Sequence, residues 1–197
     1  MNDKALQHVL VDQQISMVGE LERHVLRCVR DQHGNHVIQK VIELVPFEYI
    51  RFIVDAFTGQ VPQLAMHPYG CRVVQRLLEF SEEPAKSNIL QELHSHSSTL
   101  MADQYGNYVI QNVVEQGDAQ NRDRIFVVVK ANLVPFSRQK FASNVVEKCL
   151  TYGTEEQRRT IMHLLIARNA QGDTVLPTLI RDSFGNYVIR ESHQTWR

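Results

Sequence analysis

Tyr105-Gly106-Asn107-Tyr108-Val109-Ile110-Gln111-Asn112 is the stretch that decides the fold, because the chain repeats it. His33-Gly34-Asn35-His36-Val37-Ile38-Gln39-Lys40 and Tyr69-Gly70-Cys71-Arg72-Val73-Val74-Gln75-Arg76 precede it, and Phe141-Ala142-Ser143-Asn144-Val145-Val146-Glu147-Lys148 follows. The third residues of these segments fall at 35, 71, 107 and 143, so every interval is 36. A fifth copy, Phe184-Gly185-Asn186-Tyr187-Val188-Ile189-Arg190, comes after an interval of 43. Its extra residues are expected in the polar stretch Arg168–Thr174. Equal spacing of this kind marks a tandem array, and a fixed period of 20–50 residues is how stacked-repeat folds announce themselves.

The columns of the repeat carry its physics. Seven places before each third residue stand Cys28, Leu64, Leu100, Phe136 and Leu179, all apolar. After it come Val37-Ile38, Val73-Val74, Val109-Ile110, Val145-Val146 and Val188-Ile189, and four positions later Val41-Ile42, Leu77-Leu78, Val113-Val114 and Cys149-Leu150. Strands compete for Val-rich runs, but apolar pairs four apart lie on one face of a 3.6-residue helix. Each copy is therefore predicted to carry an amphipathic helix starting near its Gly or Ala. A second helical pattern follows, such as Tyr49–Phe57 stopped by Gly59, and Pro62, Pro135 and Pro177 sit near the start of a shorter helix. A unit this small cannot bury its apolar face alone, so the units must stack. The predicted fold is all-α, an α-solenoid of three-helix repeats at 24–59, 60–95, 96–131 and 132–174, with a remnant at 1–23 and a truncated repeat at 175–197, together one domain.

Composition removes other classes. Of 197 residues, 43% are hydrophobic and the net charge is -1, which argues against disorder and against a generally basic, sticky surface. No apolar run reaches membrane-spanning length, and Met1–His8 lacks a basic region followed by an apolar one, so neither a membrane span nor a signal peptide is expected. Cys28, Cys71 and Cys149 are too few and too scattered for a disulfide framework or a thiolate zinc site. Gly-rich phosphate loops, HExxH helices and nucleophile elbows are missing, and His94 with His96 lacks matching ligands. Neither an enzyme nor a cofactor or metal site is predicted.

Packing leaves one face of the recurring helix unexplained. The third, fourth and seventh residues are Asn35, His36, Gln39; Cys71, Arg72, Gln75; Asn107, Tyr108, Gln111; Ser143, Asn144, Glu147. They read as non-core, with the third and seventh projecting side by side one turn apart. Asn and Ser at a helix start are also good N-caps. Capping, however, explains neither Cys71 nor the planar or guanidinium residue in the fourth column. A hydrogen-bonding pair beside a flat side chain suits an unstacked RNA base, its edge read by the pair and its face by the plane.

These segments resemble the repeats of the Pumilio family of RNA-binding proteins over essentially the whole chain. The resemblance implies one base per repeat, with Asn35/Gln39 reading U, Cys71/Gln75 reading A, Asn107/Gln111 reading U and Ser143/Glu147 reading G. Chemistry supports the last assignment most directly, since an ionised Glu accepts only and guanine's edge donates. It implies RNA antiparallel to the protein, hence 5'-GUAU-3', with Asn186 available for a leading U that would complete the UGUA core element. Stacking falls to His36, Arg72, Tyr108, Asn144 and Tyr187, and phosphate contacts to Lys40, Arg76 and Lys148. The resemblance further implies a cytoplasmic, monomeric protein that binds messenger 3' untranslated regions and represses translation or promotes decay through partners such as the deadenylation machinery. The alternative is an α-solenoid protein-interaction scaffold without RNA binding.

The ends depart from the family's eight capped repeats. Asp3 occupies the Gln39 column of the leading remnant, Arg190 replaces the expected Gln, and Arg190–Arg197 shows no core face. Arg190 could contact phosphate or guanine, and fraying is expected after about residue 175.

Overall fold

The computed structural model describes residues 11–168 and 170–194. Asp3, the Lys4-Ala5-Leu6 alignment, Asn169 and the tail from Thr195 lie outside them. Every regular element among the described residues is helical. They fall into two compact units, one ending at Ser95 and the other beginning at His96.

In the first unit, α1 (Val11–Gly19) leads into α2 (Val25–Arg30), α3 (Gly34–Leu44) and α4 (Arg51–Phe57), then α5 (Val61–Ala65), α6 (Gly70–Phe80) and α7 (Ala85–Ser95). The second unit continues with α8 (Ser97–Ala102), α9 (Gly106–Gln116) and α10 (Ala119–Ala131), then α11 (Leu133–Ser137), α12 (Ala142–Tyr152) and α13 (Glu155–Ile166), and closes with α14 (Leu176–Arg181) and α15 (Gly185–Gln194). The triplet of short, recurring and following helix is the expected one, and the recurring helix begins at its Gly or Ala in every copy. Like helices stack within each unit: α3 on α6 in the first, α9 on α12 and α12 on α15 in the second.

The apolar columns make the core. Ile38, Val74, Ile110, Val146 and Val188 are fully buried, as are Leu64, Leu100 and Leu179 from the short helices. The small residue opening each recurring helix is required by close approach. A Cβ on Gly34 would lie 2.7 Å from the Cys28 carbonyl oxygen, and on Gly106 2.8 Å from that of Leu100. Gly59 ends α4 with φ +74, the left-handed conformation expected of a C-terminal stop. The longer interval before the fifth copy appears between α13 and α14, where Arg168 donates to the Gly172 carbonyl at 2.8 Å. One expectation fails at the C-terminal end. Ser192, assigned to a tail without a core face, is 2% exposed and its hydroxyl donates to the Ile189 carbonyl.

Candidate nucleic-acid interface

A column overlooked in the sequence sets the entry to the recurring helix. Asp31 Oδ1 accepts from the N–H groups of His33 and Gly34 at 2.9 and 2.7 Å. Asp103 does the same for Tyr105 and Gly106, and Asp182 for Phe184 and Gly185. Each carboxylate satisfies N–H groups that a helix start leaves without partners. These bonds hold Asp31 below the usual carboxylate range, and with Arg138 alongside they bring Asp182 down to about 2. The signal was available as Asp31, Asp103 and Asp182 three places before each Gly, with His67 and Gln139 filling the column elsewhere.

His67 performs this task with Nδ1, which accepts from Tyr69 and Gly70 N–H at 3.2 Å each. Only an unprotonated Nδ1 can accept, and burial, then the Arg30 guanidinium, hold its pKa below the ordinary 6.5. A depressed histidine pKa contributes stability that is complete above the unfolded-state value and is lost as pH falls through the folded-state value. Denaturation midpoints between about pH 7.5 and 5 should therefore fall more steeply for the native chain than for His67→Asp, which carries the cap found in the first, third and fifth copies.

The third column corrects the sequence reading. Asn35, Cys71, Asn107 and Ser143 were expected to project from the helix, yet they are 1%, 5%, 0% and 3% exposed. Nor do they cap, because the N-cap positions are His33, Tyr69, Tyr105 and Phe141. Asn35 Nδ2 donates to the carbonyls of Asp31 and Gln32 at 2.9 and 2.8 Å, and its Oδ1 accepts from Gln39 Nε2 at 2.8 Å. Asn107 repeats this with Asp103, Gln104 and Gln111 at 2.8, 3.0 and 2.7 Å. In the second copy Gln75 Nε2 donates instead to the Cys71 backbone carbonyl, and in the fourth the Ser143 hydroxyl donates to that of Lys140.

The fourth and seventh columns are accessible. His36, Arg72, Tyr108 and Tyr187 are exposed and Asn144 is half-buried, as are Gln39, Gln75, Gln111 and Glu147. In the second unit Tyr108, Gln111, Asn144 and Glu147 line an open groove of about 450 Å³, with Tyr152 and Glu191 also on its walls. Glu147 has its pKa raised, first by burial and then by Glu191, against the opposing pull of Arg190.

The basic column is engaged within the protein. Lys40 pairs with Glu43, Arg76 with Glu43 and Glu79 at 3.2 and 2.6 Å, and Lys148 with Glu115 at 2.8 Å. Arg76–Glu43 and Lys148–Glu115 are the same two columns joining consecutive repeats, and Tyr152 also donates to Glu115. Phosphate could reach these cations only in competition with a carboxylate. Being part-exposed, such pairs contribute little stability. Arg190 lies elsewhere, its guanidinium 4.8 Å from the centre of the Tyr187 ring.

Among the described residues no group of His, Cys, Asp and Glu is arranged to hold a metal, and no helix is long and apolar enough to cross a membrane. Burial pushes the Cys149 thiol up to about 12, which leaves it inert as a nucleophile. A model of the Pumilio-family RNA binding repeat matches residues 24–57, 60–94, 96–129 and 132–166. The chain belongs to the Pumilio family. That family is one of RNA-binding repeats and not of enzymes. A Pumilio domain-containing protein of Schizosaccharomyces pombe is 33% identical over 91% of the chain, which covers 26% of that protein. Pumilio homology domain family member 4 of Saccharomyces cerevisiae is 32% identical over 88% of the chain, which covers 20% of it. Two solved Pumilio-type structures match in fold: PUF-8 in complex with PBE-RNA, and the Puf3 RNA binding domain bound to a Cox17 RNA 3' UTR recognition sequence. The first has a TM-score of 0.93 at 33% identity, covering 98% of this chain and 57% of that one. The second has a TM-score of 0.90 at 41% identity, covering 98% and 60%. The chain thus spans between a fifth and about a third of the length of the curated relatives it matches and somewhat over half of these two solved Pumilio chains.

Proposed function

We propose that the chain binds single-stranded RNA sequence-specifically, one base per repeat, through the third, fourth and seventh columns of its recurring helices. The observation that carries this reading is the recurrence of a half-buried amide or carboxylate one turn from an accessible planar side chain, exposed as His36, Arg72 and Tyr108 on α3, α6 and α9 and half-buried as Asn144 on α12. Such a pair offers a base both an edge partner and a stacking face. Assigned by family rules, Ser143/Glu147, Asn107/Gln111, Cys71/Gln75 and Asn35/Gln39 read G, U, A and U in that order, and Asn186 contributes to a leading U. The target is a UGUA-containing element of a messenger 3' untranslated region. The role that follows is cytoplasmic repression or decay, exerted by a monomer with protein partners that connect the message to deadenylation. His36, Arg72, Tyr108, Asn144 and Tyr187 stack, while Lys40, Arg76, Lys148 and Arg190 are the cations nearest the phosphates.

Unbiased selection of bound RNA tests the reading. Enrichment of UGUAU, which contains the UGUA element, is the expected result, and selection of no motif would overturn it. A gel shift with UGUAU against UCUAU RNA gives the same answer at the guanine position. Guanine preference should weaken with acid, because protonation turns an oxygen of Glu147 from acceptor into donor. With its pKa raised, the loss should begin above the ordinary carboxylate range. Dissociation constants for G- and A-bearing RNA at stepped pH check this.

A further inference from the structure

Residues 36, 39, 40 and 43 of α3 stand at the i, i+3, i+4 and i+7 places of one helix face. The basic column and an acid column beyond it therefore share the stripe proposed to face RNA. The acids are Glu43, Glu79 and Glu115, each one turn past the glutamine of the seventh column. In the second unit Lys148 and Thr151 line the groove with Tyr108, Gln111, Asn144 and Glu147. Among the described residues every cation of the basic column meets an acid. Lys40 pairs with Glu43, while Arg76 Nε lies 3.2 Å from Glu43 of the preceding repeat and Nη1 2.6 Å from Glu79. Lys148 is held most completely. Its Nζ donates to Glu115 Oε2 at 2.8 Å and lies 5.0 Å from the centre of the Tyr152 ring. Tyr152 Oη donates to Glu115 Oε1 at 2.9 Å, which fixes the carboxylate from its other side. The pair holds Glu115 below the usual carboxylate range and Lys148 above the ordinary lysine value. Asn112 and Glu191 fill the same column in the third and fifth copies, so no cation stands there at all.

Stability does not account for the arrangement, because part-exposed ion pairs contribute little. Its consequence lies with the ligand. A nucleic acid gains sequence-independent affinity from each cation that neutralises a phosphate, and for a single strand log K falls against log salt by about 0.7 per contact. A lysine or arginine already paired with a carboxylate yields little of that gain, since the phosphate must displace the acid and then lie beside it. We infer that Glu43, Glu79 and Glu115 are positioning residues that hold Lys40, Arg76 and Lys148 back from RNA phosphates. A strand is then retained by its bases, and RNA lacking the motif is left weakly bound. The inference rests on the RNA binding by this helix face proposed above.

Binding of UGUAU RNA and of an oligocytidine of equal length, between about 50 and 200 mM salt, tests it. The triple variant Glu43→Gln, Glu79→Gln, Glu115→Gln should bind both strands more tightly at low salt. Its salt slope should be steeper by about 2, so its affinity should fall roughly 20-fold more than the native chain's over that range. Weaker binding at every salt concentration with an unchanged slope would show a purely structural role and overturn the inference. Glu115→Gln alone should steepen the slope by about 0.7, and in a Lys148→Gln background it should leave the slope where it was. Equal steepening in both backgrounds would mean that the carboxylate acts by its own repulsion, which also overturns the inference. Glu155→Gln changes net charge equally but frees Arg159 on α13, away from the recurring helices. It should keep the native slope, and a slope as steep as that of Glu115→Gln would sink the idea. A native chain that holds UGUAU no better than oligocytidine would instead take down the RNA reading itself.

Discussion

The paired change Ser143→Asn with Glu147→Gln is expected to move the base preferred by the fourth repeat from guanine to uracil. On the proposed reading the native carboxylate would accept from two guanine donors, and uracil's O4 and O2 would face it as acceptor against acceptor. In the variant the introduced asparagine finds the carbonyls of Gln139 and Lys140 four and three residues earlier, the relation that Asn35 and Asn107 already exploit. It would then accept from the introduced glutamine as Asn107 does from Gln111, giving the Asn/Gln pair that the family rules assign to uracil. Loss at guanine and gain at uracil act together on the ratio, so a change on the order of 100-fold is expected, at roughly 1–3 kcal/mol per discriminating pair. Glu147→Gln alone should weaken guanine without the full gain at uracil, because Ser143, which donates to the Lys140 carbonyl, does not complete the Asn/Gln pair that the family rules assign to uracil. Dissociation constants for UGUAU and UUUAU RNA across the three proteins decide the matter. An unchanged ratio in the double variant would show that this column does not select the base.

Gly106→Val is expected to have the largest effect on stability. The new Cβ would lie 2.8 Å from the Leu100 carbonyl oxygen and 3.0 Å from its Cα, both backbone atoms held by a fully buried leucine. Short helix α8 and recurring helix α9 would have to separate. Overpacking of this kind costs about 1–3 kcal/mol, and β-branching at a helix start adds to it. Gly106→Ala brings the same Cβ but no γ-methyl groups and should cost less, since the fourth copy accepts Ala142 at the equivalent place, fully buried. Urea midpoints for the three proteins would check this order, and a valine variant as stable as the native chain would mean that the small-residue column is not set by this contact.

Much of the architecture is legible in residue order. The 36-residue period and the apolar pairs four apart lead to three helices per repeat and to recurring helices beginning at Gly34, Gly70, Gly106, Ala142 and Gly185. The accessible fourth and seventh columns follow from the same helical geometry. Other features are hidden for definable reasons. Asp31, Asp103 and Asp182 read as ordinary loop acids, because a capping role depends on where a turn aims an oxygen. Periodicity puts Asn35 and Asn107 beside Gln39 and Gln111 but cannot say that the entry turn closes over them. The pairing of Arg76 with Glu43 and of Lys148 with Glu115 depends on the offset between stacked helices, which has no signature within either helix.

Sequence alone determined the number and character of the rungs, since a hydrophobic period is written in residue order and the helix converts order into a face. The tertiary structure alone decided which polar side chains remain available to a ligand. Once the entry turns fold, the carbonyls of residues 31, 32, 103 and 104 claim the asparagine amides and glutamates of the preceding repeat claim Arg76 and Lys148. Those partners are set by three-dimensional proximity, and a polar group's availability depends on what it already bonds.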